Sequence, residues 1–215
     1  MKISHSMQKS SFILAGFAIA TTGLVTLTHL LTAPEIAKQQ KLATQKNLDE
    51  IVSPDTYNNQ PSTDCVIDID SNGNTIKIFR ARYKESESDK GKAVAAAIES
   101  IAPDGYSGRI DLLVALDMDN TILGVRTIKH KETPGLGDKI ELAKSPWITH
   151  FRSKTIEQNN LQAWAVKKDG GAFDQFTGAT ITPRAVVNSV KRTSLWFANN
   201  KQRIFNLPSN CEHTK

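Results

Sequence analysis

The chain has 215 residues, of which 39% are hydrophobic and 23% charged, and a formal charge of +5. That length suits one folded domain with a tail or anchor rather than two large domains, and the apolar content argues against a largely disordered chain. The basic residues are scattered from Lys38 to Lys215 among similar numbers of acids, with no dense Lys/Arg block interleaved with aromatics, which argues against a nucleic-acid-binding protein.

The first element decides the compartment. Ser11 to Leu31 reads SFILAGFAIATTGLVTLTHLL, and no Asp, Glu, Lys or Arg stands between Lys9 and Glu35. A helix crosses the hydrocarbon layer with roughly 20 apolar residues, and its backbone then satisfies itself internally. Lys2 and Lys9 precede the run without an acid, which places residues 1–10 in the cytoplasm and the rest of the chain on the other side. A cleaved signal peptide is the rival reading. The run is longer than a usual signal core and lacks a clean small-x-small site after it, so an uncleaved anchor over residues 11–31 is expected.

Pro34 to Val52, rich in Ala, Lys, Gln and Glu, predicts a helix or stalk, and Ser53 to Asp64, with Pro54, Asn58, Asn59 and Pro61, predicts a loop. Val66–Asp70 and Thr75–Tyr83 predict a hairpin across the turn Ser71-Asn72-Gly73-Asn74. Lys84 to Lys92 is charged and exposed. Ala93 to Ile101 is ambiguous: its alanines favour helix, its length a buried strand. Pro103 to Gly108 is a turn. Arg109–Leu116 and Thr121–His130 predict strands on either side of an Asp117–Asn120 turn. Residues 139–158 predict a helix interrupted at Pro146, and Leu161–Val166 one more short strand. In the last element Thr182 is the expected N-cap and Pro183 the first helical residue. Val186, Val187, Val190 and Phe197 then share one apolar face. The whole predicts an α+β domain with one core.

Two cysteines, Cys65 and Cys211, lack CxxC spacing, so no zinc ribbon, iron–sulfur site or c-type haem is indicated. An external compartment permits a disulfide between them; two unpaired thiols is the other reading.

Two segments carry chemistry. In Asp174-Gln175-Phe176-Thr177-Gly178-Ala179-Thr180-Ile181-Thr182-Pro183, Gly178 lets the backbone approach a ligand closely just before a helix start. The helix N-terminus supplies unpaired N–H groups suited to a phosphate. Thr177, Thr180 and Thr182 surround that point with hydroxyls, able either to hydrogen-bond a phosphate or to be esterified by one. An ordinary helix cap would account for the same residues. Glu132-Thr133-Pro134-Gly135-Leu136-Gly137 is a turn following a strand, with Gly137 leaving accessible backbone, and loops at strand ends commonly hold ligands. His130 near Glu132 suggests a metal or proton-transfer pair only weakly, there being no third ligand at useful spacing. Trp147, Trp164 and Trp196 suit core or interface packing better than a ligand stack. Asp68, Asp70, Asp117 and Asp119 suit turns.

HKETPGLGDKI followed by DQFTGATIT resembles the FMN-binding domain of redox-driven ion pumps. The resemblance is strongest to the G subunit of the Rnf/Rsx ion-translocating electron-transport complex, with the C subunit of sodium-translocating NADH:quinone reductase as a relative. It covers nearly the whole chain, and the two motifs in this order are far more specific than either alone. It implies FMN joined covalently through its phosphate to a threonine. Asp174, Thr177, Gly178, Ala179 and Thr180 match the attachment pattern, with Thr180 as acceptor and Thr182 near the phosphate. Glu132, Thr133, Gly135, Leu136 and Gly137 are implied to line the flavin. The fold class expected is then α+β: a single-pass N-terminal transmembrane helix followed by one FMN-binding domain with a mainly antiparallel sheet and flanking helices. Residues 32–60 would form a stalk and 61–215 a periplasmic domain at a bacterial inner membrane.

The resemblance further implies a redox subunit of a translocase rather than an enzyme acting alone. Its partners would be the other subunits of the electron-transport complex, and a flavin transferase would mature it. The complex would pass electrons between NADH and a low-potential carrier, or in one regulatory branch keep a redox-sensing transcription factor reduced. The alternatives are the quinone-reductase C subunit and, in a different class, an anchored phosphate-binding or scaffold domain without covalent flavin.

Overall fold

A computed structural model describes residues 2–86 and 89–211. The chain divides into two units, Met1–Thr44 and Gln45–Lys215. Helix α1 runs Lys2–Ile51, and its Gln8–Ile36 portion is long and apolar enough to cross a membrane. Within it the hydroxyls of Thr21, Thr28 and Thr32 donate to carbonyls one turn back, at 2.8, 2.9 and 2.8 Å. Each thus finds an acceptor inside its own helix, as a lipid environment demands. The helix continues through Pro34.

The second unit is built on an antiparallel meander of five strands in sequence order: β1 Cys65–Ile69, β2 Thr75–Tyr83, β3 Lys92–Gly105, β4 Gly108–Asp117 and β5 Ile122–Lys129. The expected first hairpin is present, with Ile69 opposite Thr75. Asp70 and Asp117 each accept two backbone N–H bonds within their turns, which is why short acids stand there. Residues 87 and 88 of the predicted charged loop lie outside the described residues, and Glu85, Ser86, Asp89 and Lys90 are exposed.

The ambiguous alanine segment is a strand, and it belongs to β3, which continues through the predicted Pro103 turn to Gly105. Alanine disfavours strands where one face meets water. Here both faces are covered. Ala96 and Ile98 pack under helix α2, Ile181–Asn206, while Ala95 and Ala97 pack under Leu48, Ile51 and Val52 at the end of α1. Small side chains at the centre let both layers approach. Buried Ser100 meets the hydroxyls of Ser189 at 2.8 Å and Thr193 at 2.6 Å on α2, so no hydroxyl is left unpaired in that contact. Val186, Val187, Val190 and Phe197 are all fully buried, as their spacing predicts.

Three sequence expectations are corrected. Residues 139–158 form no α-helix but short 3-10 turns, Gly137–Ile140 and Pro146–Phe151, with a third, Gln158–Ala163, beginning at their end. The backbone there makes short-range turn bonds, as from Lys144 N–H to Glu141 O, and its end is held by β5: Ile122 N–H donates to Lys154 O at 2.9 Å and Ser153 N–H to Ile122 O at 2.8 Å. Leu161–Val166 is no strand; its first half lies in the third 3-10 turn, and only Val166 makes an isolated bridge, to Phe173. Trp164 is buried against Phe151 and Phe173, so tertiary aromatic packing overrides the local pattern. Finally, α2 begins at Ile181 with Thr180 as N-cap, placing Pro183 third rather than first. Proline is tolerated there because no N–H of the first turn has an intrahelical acceptor.

The C-terminal tail closes the sheet edge at β1. Asn210 Oδ1 accepts from Ile67 N–H at 2.6 Å, Asn210 N–H donates to Cys65 O at 3.1 Å, and Cys65 is disulfide-bonded to Cys211, with Cα atoms 5.6 Å apart. An edge strand left bare would template association. The bond spans 146 residues of sequence. A Cys65→Ser, Cys211→Ser double variant is expected to lose about 2–5 kcal/mol in denaturant unfolding, with reductant lowering the wild type by the same amount and leaving the variant unchanged.

Candidate functional site

The two motif segments meet at the N-terminus of α2. In the first, Thr133 O accepts N–H bonds from Leu136 at 3.1 Å and Gly137 at 3.0 Å, folding Pro134-Gly135 into a turn. In the second, Ala179 N–H donates to Phe176 O at 3.1 Å, and Gly178, at φ +79°, holds the turn position a β-carbon would strain. That turn delivers Thr180 to the N-cap of α2. Thr180 is half-buried and its hydroxyl makes no capping bond.

Buried Glu132 ties the segments together. One carboxylate oxygen accepts from the Thr182 hydroxyl, the other from Ser107 N–H at 3.0 Å in the β3–β4 turn. Gly137 passes directly over this clamp. A β-carbon there would stand 2.9 Å from both Glu132 Oε2 and Thr182 Oγ1, so any side chain at residue 137 would push the pair apart. The backbone N–H of Glu132 donates to His130 Nδ1 at 3.0 Å, and His130 Nε2 lies 2.6 Å from Glu141 Oε1. Because Nδ1 accepts, Nε2 carries the proton and donates to Glu141. His130 therefore bonds the Glu132 backbone, not its carboxylate.

The attachment motif is pinned from beneath and open above. Trp147 Nε1–H donates to Asp174 O at 2.7 Å, and its ring meets Phe176 edge-on at 5.1 Å. Trp147 and Trp164 are buried, serving the core as expected. Asp174, Gln175, Thr177 and Gly178 are exposed. Asp174 pairs with Lys167 at 2.5 Å, and Asp169 grips Arg184 through two bonds of 2.5 and 2.8 Å. The Arg184 bond holds the Asp169 carboxyl below its ordinary value, and Asp169 in turn raises Arg184.

The sequence-predicted residues divide by position. Glu132, Gly137 and Thr182 form one buried contact. Thr177, Gly178 and Leu136 are exposed around Thr180, and Ala179 is half-buried behind it. Leu136 Cδ2 lies 3.8 Å from the position of a β-carbon on Gly178, so the two loops are in reach of one another. Thr133 and Gly135 are exposed on the outer side of the first loop.

Sequence reasoning does not place Ser107, Trp147 or Asp138 at the site. The first is legible only as part of a turn and the second only as a core aromatic. Asp138 is buried, and its Oδ1 has no hydrogen-bond partner among the described residues. These features suit a phosphorylated cofactor: free first-turn amides and an uncommitted hydroxyl for phosphate, beside an open glycine turn.

Comparison with known proteins agrees. Residues 1–51 match the family model described as the RnfG N-terminal region, and residues 105–194 that of the FMN-binding domain. Among curated relatives, the G subunit of an ion-translocating oxidoreductase complex from Photorhabdus laumondii is 48% identical over 95% of this chain and 97% of its own length. Its counterpart from Aliivibrio fischeri is 45% identical over 96% and 98%. A solved structure of Shewanella oneidensis NqrC aligns with 26% identity over 73% of this chain and 70% of that chain, at a TM-score of 0.44. Given such identity along almost the full length of both chains, this protein belongs to the G-subunit family of the ion-translocating oxidoreductase complex and carries that family's FMN-binding domain.

Proposed function

We propose that this chain holds FMN as a phosphoester on Thr180 and passes electrons, as a membrane-anchored subunit, among the other redox subunits of an ion-translocating complex. The observation that carries the reading is the Thr180 hydroxyl. It stands at the mouth of α2, without a hydrogen bond among the described residues, after an exposed turn whose glycine leaves the approach clear. Bound FMN would supply one- and two-electron chemistry that ordinary side chains lack. The chain's own contribution is to bind and orient. The first-turn amides of α2 face the phosphate with the positive end of the helix dipole. Glu132 fixes the helix start against the 132–137 loop, so Thr180, Thr177, Gly178, Ala179, Leu136, Gly135 and Thr133 keep their spacing around the cofactor.

Forming the ester bonds the Thr180 oxygen to the flavin-side phosphorus of a flavin dinucleotide; the pyrophosphate bond breaks, and the nucleoside monophosphate half leaves while the hydroxyl proton is lost. No hydrogen-bonded base stands beside that hydroxyl among the described residues, so a separate flavin transferase performs the step. Exposure of Asp174, Gln175, Thr177 and Gly178 gives such an enzyme access. Residues 1–10 are cytoplasmic, 11–31 cross the membrane, and 32–60 lead from it to the FMN-binding domain of 61–215, whose sheet they join through Leu48, Ile51 and Val52; the domain lies on the periplasmic side. The disulfide supports that side, since such bonds persist in oxidising compartments.

The test is the mass spectrum of the tryptic peptide Asp169–Arg184 from natively produced protein. The expected result is that peptide carrying FMN less one water, with fragmentation placing it on Thr180. An unmodified peptide alone would reject covalent attachment.

A further inference from the structure

We propose that the ring of Tyr106 is the stacking platform for the isoalloxazine of FMN, an assignment that rests on the attachment at Thr180. Within the unit Gln45–Lys215 the exposed large apolar or aromatic side chains are Ile69, Tyr83, Tyr106, Ile128, Leu136, Leu142 and Ile181. Three of these stand on segments tied to the attachment point. Ile181 follows Thr180 directly. Leu136 reaches the Gly178 turn. Tyr106 sits in the two-residue turn between the paired Gly105 and Gly108, and that turn is pinned because Ser107 N–H donates to Glu132 at 3.0 Å. The same carboxylate holds Thr182, two residues beyond Thr180.

Tyr106 is 68% exposed, the most open of the seven, and its phenol makes no hydrogen bond among the described residues. A large aromatic face left uncovered on an anchored turn marks a binding surface rather than a packing element. Its occupant is limited by the tether. A nucleotide esterified at Thr180 can carry its ring no further than its own length, and the Glu132 clamp keeps Tyr106 beside that anchor. A flat, electron-poor ring system stacks on the flat, electron-rich face of a phenol, with Leu136 and Ile181 covering its edges. The polar clamp below and the apolar rim above thus divide the cofactor's phosphate from its ring.

The stack is read by light. A phenol in contact quenches flavin emission, because an electron passes from the phenol to the excited ring and returns. Flavin fluorescence of the folded holoprotein is compared with that of the same sample denatured in a gel, for wild type, Tyr106→Leu, Tyr106→Trp and Tyr83→Leu. The result expected is equal denatured bands for all four, native emission several-fold brighter in Tyr106→Leu, and native emission as dim as wild type in Tyr106→Trp and Tyr83→Leu. Should Tyr106→Leu fail to fold by circular dichroism, Tyr106→Phe carries the test, since a phenyl ring is too poor a donor to quench and brightens equally. Native emission of Tyr106→Leu or Tyr106→Phe equal to wild type, with the denatured bands intact, overturns the stack and leaves attachment standing. A wild type without a fluorescent denatured band overturns the attachment, and the stack with it.

Discussion

Thr180→Val is expected to abolish covalent flavin entirely. Valine matches threonine in shape, so the half-buried N-cap keeps its packing, and the lost hydroxyl makes no capping bond whose absence would unfold α2. What disappears is the only atom of residue 180 able to form the ester. In-gel fluorescence of protein made with a flavin transferase should show a band for wild type and none for Thr180→Val.

Thr182→Val is the informative partner. Its hydroxyl is buried and bonded to Glu132, and removing it leaves a buried carboxylate oxygen short of a donor, a loss of about 1–3 kcal/mol. The band should therefore survive while the melting temperature falls. A fluorescent Thr180→Val band would move the acceptor elsewhere on this turn, with Thr177 the next hydroxyl to examine.

A second large stability effect is expected far from Thr180, at the other end of α2. Arg80 and Arg82 project from β2 beneath the last turn of the helix. Arg80 donates to Ile204 O at 2.9 Å and Leu207 O at 2.6 Å, and Arg82 donates to Phe205 O at 2.6 Å. Both guanidinium groups bond Asp64, Arg82 at 2.8 Å. The two cations thus satisfy carbonyls that a helix end leaves unpaired and meet its negative pole. Burial pulls the Arg80 guanidinium below its ordinary value, and Asp64 opposes that pull.

One carboxylate for two cations leaves little margin. Asp64→Asn strips the compensation from both and should cost about 3 kcal/mol, the lower part of the range for breaking a buried pair because Asp64 is partly exposed. Urea unfolding measures it. The Asp64→Asn, Arg80→Met double variant should recover part of the loss, which a pure loss of packing would not allow.

Much of this is readable from the chain because it depends on short-range chemistry. The hairpin from Val66 to Tyr83 follows from alternation around an Asn-Gly turn, and the buried face of α2 from the spacing of Val186, Val187, Val190 and Phe197. The motif residues themselves are legible because glycine turns and helix caps are local devices. Other assignments depend on partners distant in sequence. Ala93–Ile101 could be strand or helix until layers on both faces made small side chains the requirement. Residues 139–158 carry helical periodicity, yet Ser153 and Lys154 bond to β5 and the segment's aromatics close over Phe173 and Phe176.

The sequence by itself determined the apolar anchor, the α+β character and the two glycine-turn segments proposed to hold the cofactor, since each is written in a contiguous run of residue types. Only the tertiary structure decided that Glu132 joins those segments to the β3–β4 turn, that Tyr106 stands exposed on that turn, and that Cys65 bonds Cys211. A hydrogen bond between residues 132 and 182, or a bond spanning 146 positions, leaves no periodic trace in the chain. It exists because the meander and α2 bring those side chains to the same few ångströms.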